Sequence, residues 1–381
     1  MIMLGNIIKK AVSLLVATVM LLPSVFSQNA AQSEIDKQAQ IQRIAQLETA
    51  YANSEMPKIN EQNFFAGDLK QSPENGIKFN ELSFIATHNS YQTQSVEAYR
   101  QIFDNLSTLT FGLVSDKSGE FSSQTLTEQF NCGIRSIEMD IETVKNGEDI
   151  SFVCMHSPNL DNGTTCYDFE LALKEIRMWS DYNPNHLPVT IIIEPKTLFI
   201  PMENMKFFNL DYALVLEELL RNALGDKLFT PKDMLREYNS FAEMRFADDW
   251  CEAEDMLGKV LVLLHDTAVT EEYIALDESI KTQAMFPMLR YDDKDLSYAS
   301  FLLINDPTEA LEASEEIIGE YNLIVRTQVD TFTSVSQEKR ENAMLSGAQI
   351  LSTDYPVRND LTAESYAVSF GNSKTVRINN F

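Results

Sequence analysis

Positive charge is what this chain is shortest of. Thirty Lys and Arg stand against 57 Asp and Glu, a formal net charge of −27 over 381 residues. So acidic a surface argues against nucleic acid as a partner and against passive adsorption to anionic membranes. It suits a divalent cation, although most of these carboxylates need do no more than keep the protein soluble. Histidine is scarce too, with only His88, His156, His186 and His265. Cysteine is limited to Cys132, Cys154, Cys166 and Cys251, an even number that fits two bridges in an exported protein without fixing their pairing. The N-terminal apolar run, Ala11 to Leu22, is too short for a comfortable membrane span. No cysteine follows it, so a lipid-anchored mature N-terminus is not expected. Internal repeats and low-complexity tracts are also missing.

What the N-terminus does contain sets the expected compartment. Lys9 and Lys10 precede the apolar run, and Val25-Phe26-Ser27 offers small or compact residues where a signal peptidase reads. Cleavage after Ser27 is expected, giving a secreted or periplasmic protein; an uncleaved anchor is the alternative. Residues 28–53 are rich in Gln, Ala and Glu, with Ile35, Ile41, Ile44 and Leu47 at roughly helical spacing, and predict a surface helix. Residues 54–78 are polar, contain two prolines and read as a linking segment. The expected organisation is a signal peptide over 1–27, a helical and linking extension over 28–78, and one large domain over 79–381. An apolar fraction of 44% with 22 Phe is enough to fill the core of that domain.

From residue 79 onward, strand-like apolar runs alternate with helical patterns, the signature of βα units and a parallel sheet. The predicted strands are Leu82–Thr87, Ile134–Ile141, Ser151–Met155, Val189–Ile193, Val260–Leu264, Ser300–Ile304, Asn322–Arg326 and Ala348–Ser352. Predicted helices include Phe169–Ser180, Tyr212–Leu224, Glu309–Tyr321 and Gln337–Leu345. Eight strands in alternation predict an α/β fold, a closed (β/α)8 TIM-type barrel. "AMFPML" at 284–289 reads either as a further strand or as part of a long loop.

The strand ends carry the chemistry. "SFIATHNS" takes an apolar run into His88 and Asn89. "GIRSIEMDIE" alternates Ile137, Met139 and Ile141 with Glu138, Asp140 and Glu142, which puts three carboxylates on one face. An exposed edge strand would tolerate them. A parallel sheet covered on both faces would not, unless something positive neutralises them. "SFVCMHSP" ends in His156, and "VTIIIEPK" ends in Glu194 and Lys196. In a (β/α)8 barrel such ends converge at one mouth, where active sites lie. Asn89, Glu138, Asp140 and Glu194 offer hard oxygen donors and no thiol, which favours Ca2+ or Mg2+ over zinc, and several protein oxygens favour Ca2+. A zinc site using both histidines is the competing arrangement. His88 and His156 are left for acid–base work, and Lys196 adds a fixed cation, leaving room for a phosphodiester anion.

These segments resemble a known family. "THNSYQ", "GIRSIEMDIE", "CMHSPNLDNGTTC", "HLPVTIIIEPK", "GKVLVLLHD", "FLLINDP", "LIVRTQVDT" and "GAQILSTDYP" fall in the order and spacing of the secreted, Ca2+-dependent phosphatidylinositol-specific phospholipase C-like proteins. The resemblance runs from about Phe79 to the C-terminus. It implies a phosphodiesterase barrel in which Asn89, Glu138, Asp140 and Glu194 bind Ca2+. His88 and His156 are then the catalytic pair, and Lys196, with Arg326 as a further candidate, meets the phosphate or head group. The implied reaction is attack of the inositol 2-hydroxyl on phosphorus, releasing diacylglycerol. Glu138 or another metal-bound carboxylate takes the proton, His88 stabilises the phosphate oxygens and His156 protonates the leaving alkoxide, although the two histidines could exchange roles. The implied partners are a phospholipid or other phosphodiester substrate and a transient membrane surface, with no nucleic acid. Cys154 and Cys166 bracket the His156 loop and are expected to pair. His265 is expected to be a solvated loop residue and His186 a structural one. A glycerophosphodiester phosphodiesterase on the same barrel is the alternative enzyme, but this chain shows no His-Arg-Gly start to support it. A silent Ca2+- or lipid-binding protein would need neither histidine.

Overall fold

The computed structural model describes residues 2–65, 76–110, 113–117, 119–196, 204–291, 296–360, 362 and 365–379, with side chains in the first helix described at residue 14 and from residue 16 on. Helix α1 runs from Ile2 to Ala52. Strand β1 (Leu82–Thr87) follows, then α2 (Glu97–Leu109), α3 (Leu126–Asn131), β2 (Ser136–Asn146), β3 (Asp149–Cys154) and α4 (Phe169–Tyr182). Next come β4 (Val189–Pro195), the two-residue β5 (Met205–Lys206), α5 (Leu210–Leu224), the two-residue β6 (Leu228–Phe229), α6 (Pro231–Leu235), α7 (Phe241–Phe246), β7 (Val260–Leu264) and α8 (Thr270–Ile274). The chain ends with β8 (Phe286–Arg290), β9 (Phe301–Leu303), α9 (Pro307–Glu312), β10 (Ile324–Gln328), α10 (Gln337–Leu345), β11 (Ile350–Thr353) and β12 (Val376–Ile378). Among the described residues no helix is long and apolar enough to cross a membrane.

Eight parallel strands close a barrel in the order β1, β2, β4, β7, β8, β9, β10, β11, with β11 returning to β1. Their sequences explain the burial. "VTIII" and "VLVLL" are apolar or β-branched at every position because the barrel interior covers one face and the helices the other, and all ten residues are buried. Helix starts are fixed by side chains: Asp168 caps α4 through the Leu171 N–H, and Asn209 caps α5 through that of Tyr212.

Three expectations change. The predicted strand Ser151–Met155 is not a barrel stave. Strand β2 overshoots the barrel, turns at Gly147 (φ +64°) and returns as β3, antiparallel along its outer half. A glycine at the first central position suits such a two-residue hairpin turn. The eighth stave is β8, from the "MFPML" run, with Pro287 paired against Leu264. The predicted helix Glu309–Tyr321 divides into α9 and a π-helical turn over Glu315–Glu320, whose wider winding keeps Ile317 buried.

The described parts of the extension are bonded to the barrel. Glu61 accepts from Arg135 Nε at 2.8 Å and from the Leu187 N–H at 2.6 Å, sewing residues before β2 and β4 together at the end of the barrel opposite the mouth. The predicted helix is present within α1, and its buried side mixes Ile44, 4% exposed, with polar residues. Ile35 and Ile41 are 60% and 43% exposed, while Asn29 and Gln40 are fully buried. The polar side chains can sit inside because neighbouring backbone groups meet them.

Candidate active site

The strand ends do converge. Asn89, one residue past His88, has φ +44°, in the left-handed region that asparagine tolerates better than most residues. Its backbone turn is held against β2, where the Ser90 N–H reaches Glu138 O at 2.9 Å and Ser90 Oγ accepts from the Glu138 N–H at 2.8 Å. Asn89 Nδ2 donates to Gln92 Oε1 at 3.1 Å, which leaves its buried Oδ1 without a partner.

Facing it are Glu138, Asp140 and Glu194, whose nearest oxygens lie within 4.8 Å of one another. Glu138 is buried and forms an ion pair with Arg326 Nη2 at 2.6 Å. Burial alone would raise its pKa, but the charges of Arg326 and His88 outweigh that and carry it to about 2. Asp140 is fully buried. Its Oδ2 accepts from Tyr91 at 2.7 Å and pairs with Lys196 Nζ at 2.8 Å, while Oδ1 has no partner. Burial holds the Asp140 carboxyl above its usual range despite Lys196. Lys196 also pairs with Glu194 at 3.0 Å, and these two carboxylates outweigh burial and raise the ammonium's pKa. Glu142 is not part of this group. Two residues further along β2, it is buried with both oxygens unpartnered among the described residues, and burial pushes it up to about 8, so it is largely neutral near pH 7.

Two histidines flank the cluster. His88 Nδ1 lies 2.8 Å from Asp354 Oδ1, and its Nε2 faces Glu138 at 3.7 Å. Burial pulls its pKa down, yet the Glu138 charge and the Asp354 hydrogen bond prevail and raise it to about 9. His156 arrives from the β2–β3 hairpin. Its Nδ1 lies 3.2 Å from Asp161 Oδ2, and the hydrogen bond to Asp161 overcomes burial to raise its pKa. Gln92 joins the two halves of the mouth, accepting from Asn89 through Oε1 and donating to Asp161 through Nε2 at 2.8 Å.

Asp354, Asp161, Tyr91 and Gln92 escaped the sequence reading. Asp354 follows β11 directly, as His88 follows β1, so the rule that found His88 would have found it. His265 follows β7 in the same way and is only 9% exposed, not a solvated loop residue. It sits close enough to contribute to lowering the Glu138 pKa. Arg326 does reach the mouth, but as the counter-charge of Glu138. His186 lies elsewhere, buried against Trp179 and bonded to Ser180 and Leu187 O; burial lowers its pKa to about 3. The expected Cys154–Cys166 bridge is not formed, and all four cysteines are free thiols.

The donor set fits Ca2+. The group is made of hard oxygens, and the unpartnered Oδ1 atoms of Asn89 and Asp140 are buried acceptors in want of a cation. An oxygen cluster of this kind, with a cationic His88, a second histidine and two further cations at the mouth of a (β/α)8 barrel, defines a metal-assisted phosphodiesterase. The comparisons with known proteins are more specific. The family model described as "Phosphoinositide phospholipase C, Ca2+-dependent" matches residues 145–380, more than half of the chain, and the chain belongs to that family. It is a phosphoric diester hydrolase with Ca2+ as cofactor. The fold is similar to that of a calcium-dependent phosphoinositol-specific phospholipase C from a Gram-negative Pseudomonas, with 17% identity and a TM-score of 0.54 over 79% of this chain and 95% of that one. It is also similar to a Ca2+-dependent phosphatidylinositol-specific phospholipase C from Streptomyces antibioticus, with 16% identity and a TM-score of 0.52 over 73% and 95%. No curated protein matches the sequence.

Proposed function

We propose that this enzyme is an exported phospholipase C that cleaves phosphatidylinositol-type lipids, with Asn89, Glu138, Asp140 and Glu194 as its Ca2+ ligands. The observation that carries the reading is the buried cluster of Glu138, Asp140 and Glu194, in which Asp140 Oδ1 has no partner, together with the unpartnered Asn89 Oδ1 on the turn held against Glu138, and with His88 and His156 at its flanks. When bound, Ca2+ lowers the pKa of the substrate's 2-hydroxyl and offsets the charge that develops there. The hydroxyl oxygen attacks phosphorus, and the bond to the glycerol oxygen breaks, giving a cyclic inositol phosphate and diacylglycerol. His88, cationic with its pKa at about 9, holds charge on the phosphate oxygens. His156, 41% exposed and backed by Asp161, gives its proton to the departing alkoxide.

Glu138 is a poor proton acceptor at a pKa of about 2 and is better suited to binding metal. Glu194, whose side chain is 29% exposed, is the cluster carboxylate a substrate hydroxyl can approach, and takes the acceptor role. Lys196 and Arg326 balance the carboxylates so that the loaded site accepts an anion. Five carboxyl groups (Glu138, Asp140, Glu194, Asp161 and Asp354) face Lys196, Arg326 and the cationic His88, with His156 the fourth cation when it holds the proton it delivers. A dication tips that balance to one positive charge, which a phosphodiester neutralises. Export follows from the Lys9-Lys10 and Ala11–Leu22 pattern, with cleavage after Ser27; N-terminal sequencing of the protein recovered outside the cytoplasm tests it. The activity is tested by incubating the purified protein with vesicles of phosphatidylinositol, phosphatidylcholine or phosphatidylethanolamine, in Ca2+ or in chelator. Cyclic inositol phosphate is expected from phosphatidylinositol in Ca2+ alone. Failure to cleave it, or equal cleavage of all three lipids, would overturn the reading.

A further inference from the structure

The loop that carries Asp161 to His156 has little regular structure, and no disulfide pins it. Its backbone polar groups nevertheless have partners, and many of these come from one stripe of α1. Asn29 Nδ2 donates to Asn159 O at 2.8 Å and to Leu160 O at 2.9 Å. Asn162 Nδ2 donates to Ser33 Oγ at 2.6 Å. Asp36 Oδ2 accepts from the Thr164 N–H at 3.0 Å, and Arg43 Nη2 donates to Thr165 O at 2.6 Å. Gln40 makes a reciprocal pair with Asp168, accepting from its N–H at 2.7 Å and donating to its carbonyl at 2.9 Å.

Residues 29, 33, 36, 40 and 43 are spaced by four and three, the rhythm of a single helix face. At that spacing a packed helix ordinarily presents apolar residues. Here the face is polar, with Asn29 and Gln40 fully buried, because it reads a backbone instead of packing on side chains. The opposite side of the loop lies against the β1 exit. The Thr93 N–H donates to Gly163 O at 3.0 Å and the Thr165 N–H to Tyr91 O at 2.7 Å. A Cβ on Gly163 would come within 2.8 Å of Thr93 Oγ1 and 2.9 Å of Gln94 O, so the two segments touch as closely as glycine allows. The loop is clamped between the segment that carries Asn89 and the polar face of α1.

We infer that this polar face of α1 positions the His156–Asp161 pair for proton delivery, which is the task the sequence assigned to a disulfide. The inference rests on the proposed role of His156 as acid. All five stripe residues lie beyond Ser27, so the clamp survives the expected cleavage. Asn29, Asp36, Gln40 and Arg43 are positioning residues that act through the loop backbone, and Ser33 acts through the Asn162 side chain.

The test uses the full chain carrying Gln40→Ala, Gln40→Glu, which keeps the acceptor for the Asp168 N–H and loses the donor, and the double variant Asn29→Ala/Gln40→Ala. Gln38→Ala, on the exposed side of the same helix, is the control. Two readouts are taken: hydrogen exchange at the Thr164 and Asp168 amides, and the ratio of rates on phosphatidylinositol and on an inositol phosphodiester with a nitrophenol leaving group. A nitrophenolate departs without a proton, so a misplaced acid slows the lipid selectively. Gln40→Ala is expected to speed exchange of the loop amides by roughly tenfold or more while the barrel strands stay protected. It is also expected to cut lipid cleavage roughly ten- to a hundredfold with the nitrophenyl substrate within about threefold, since a displacement near 1 Å at a catalytic group has effects of that order. Gln40→Glu should fall between, and Gln38→Ala should match wild type. Unchanged loop exchange, or equal loss on both substrates, would overturn the inference. If wild-type protein cleaves neither substrate, the proposed activity fails separately and the exchange result alone decides whether α1 holds the loop.

Discussion

Glu138 and Asp354 together make His88 a cation, and Asp354→Asn isolates the second of them. Asp354 is fixed before it meets the histidine: its Oδ2 accepts from the Phe332 N–H at 2.6 Å, and its own N–H donates to Asp330 Oδ1 at 3.1 Å. Its side chain is 6% exposed, and Oδ1 lies 2.8 Å from His88 Nδ1. The substitution removes a charge and also an acceptor, because an amide can serve only one of these two donors through oxygen. An opposite charge at this distance raises a histidine pKa by roughly 1–3 units, or about 1.4–4 kcal/mol in favour of the imidazolium. His88 is 23% exposed, so water screens part of that and the lower half of the range applies. The His88 midpoint should therefore fall from about 9 to roughly 7–8. The assay is an NMR titration of the imidazole C–H signals in chelator, assigned with His88→Gln, alongside the pH profile of kcat/KM. The alkaline limb of that profile should move to lower pH by the same amount. The folded pKa lies above the ordinary 6.5, so this group's stability contribution is full below about 6.5 and is lost as pH rises through 9. The variant should lose less stability over that window. A His88 midpoint unmoved in Asp354→Asn would refute the electrostatic account of the residue.

Three further outcomes are expected. Arg326→Ala strands the buried Glu138 carboxylate and should cost roughly 3–5 kcal/mol in chelator by urea unfolding, and less in Ca2+, which supplies another counter-charge; equal losses in both buffers would count against Glu138 as a ligand. His186, held neutral with a pKa of about 3, adds stability above about pH 6.5 that drains away as pH falls toward 3, so the acid limb of unfolding should be shallower in His186→Gln. The same limb in both proteins would show that His186 does not titrate with folding. His156→Ala should cripple cleavage of the natural lipid and spare much of the nitrophenyl reaction, whereas His88→Ala should damage both; a reversed pattern would exchange the two roles.

Much of the barrel is legible because a parallel stave buried on both faces leaves an unbroken run of apolar or β-branched residues, as at "VTIII" and "VLVLL". The stave at 286–290 is hidden by Pro287, which ordinarily argues against an interior strand. The hairpin was readable from Gly147 between two alternating runs, but the run through Cys154 resembles a stave so closely that the turn was passed over. The polar strand ends picked out His88, Asn89, Glu138, Asp140, Glu194 and Lys196, all of which meet at the mouth. Asp354 is open to the same rule, since it follows β11 as His88 follows β1, but nothing local announces its pairing with a histidine 266 residues away; Asp161 lies in the loop after His156 and ends no strand. The buried polar residues of α1 are illegible because asparagine and glutamine at helical spacing look solvated until the backbone they serve is in place.

Calcium binding by Asp140→Asn, measured by calorimetric titration beside the wild type, bears most directly on the metal cluster. Wild-type protein is expected to bind one Ca2+ per chain and to cleave phosphatidylinositol only when it is bound. The variant, having lost one charged oxygen, is expected to bind at least about tenfold more weakly, about 1.4 kcal/mol, with turnover nearly abolished. Unchanged Ca2+ affinity in Asp140→Asn, or full wild-type turnover in excess chelator, would contradict it.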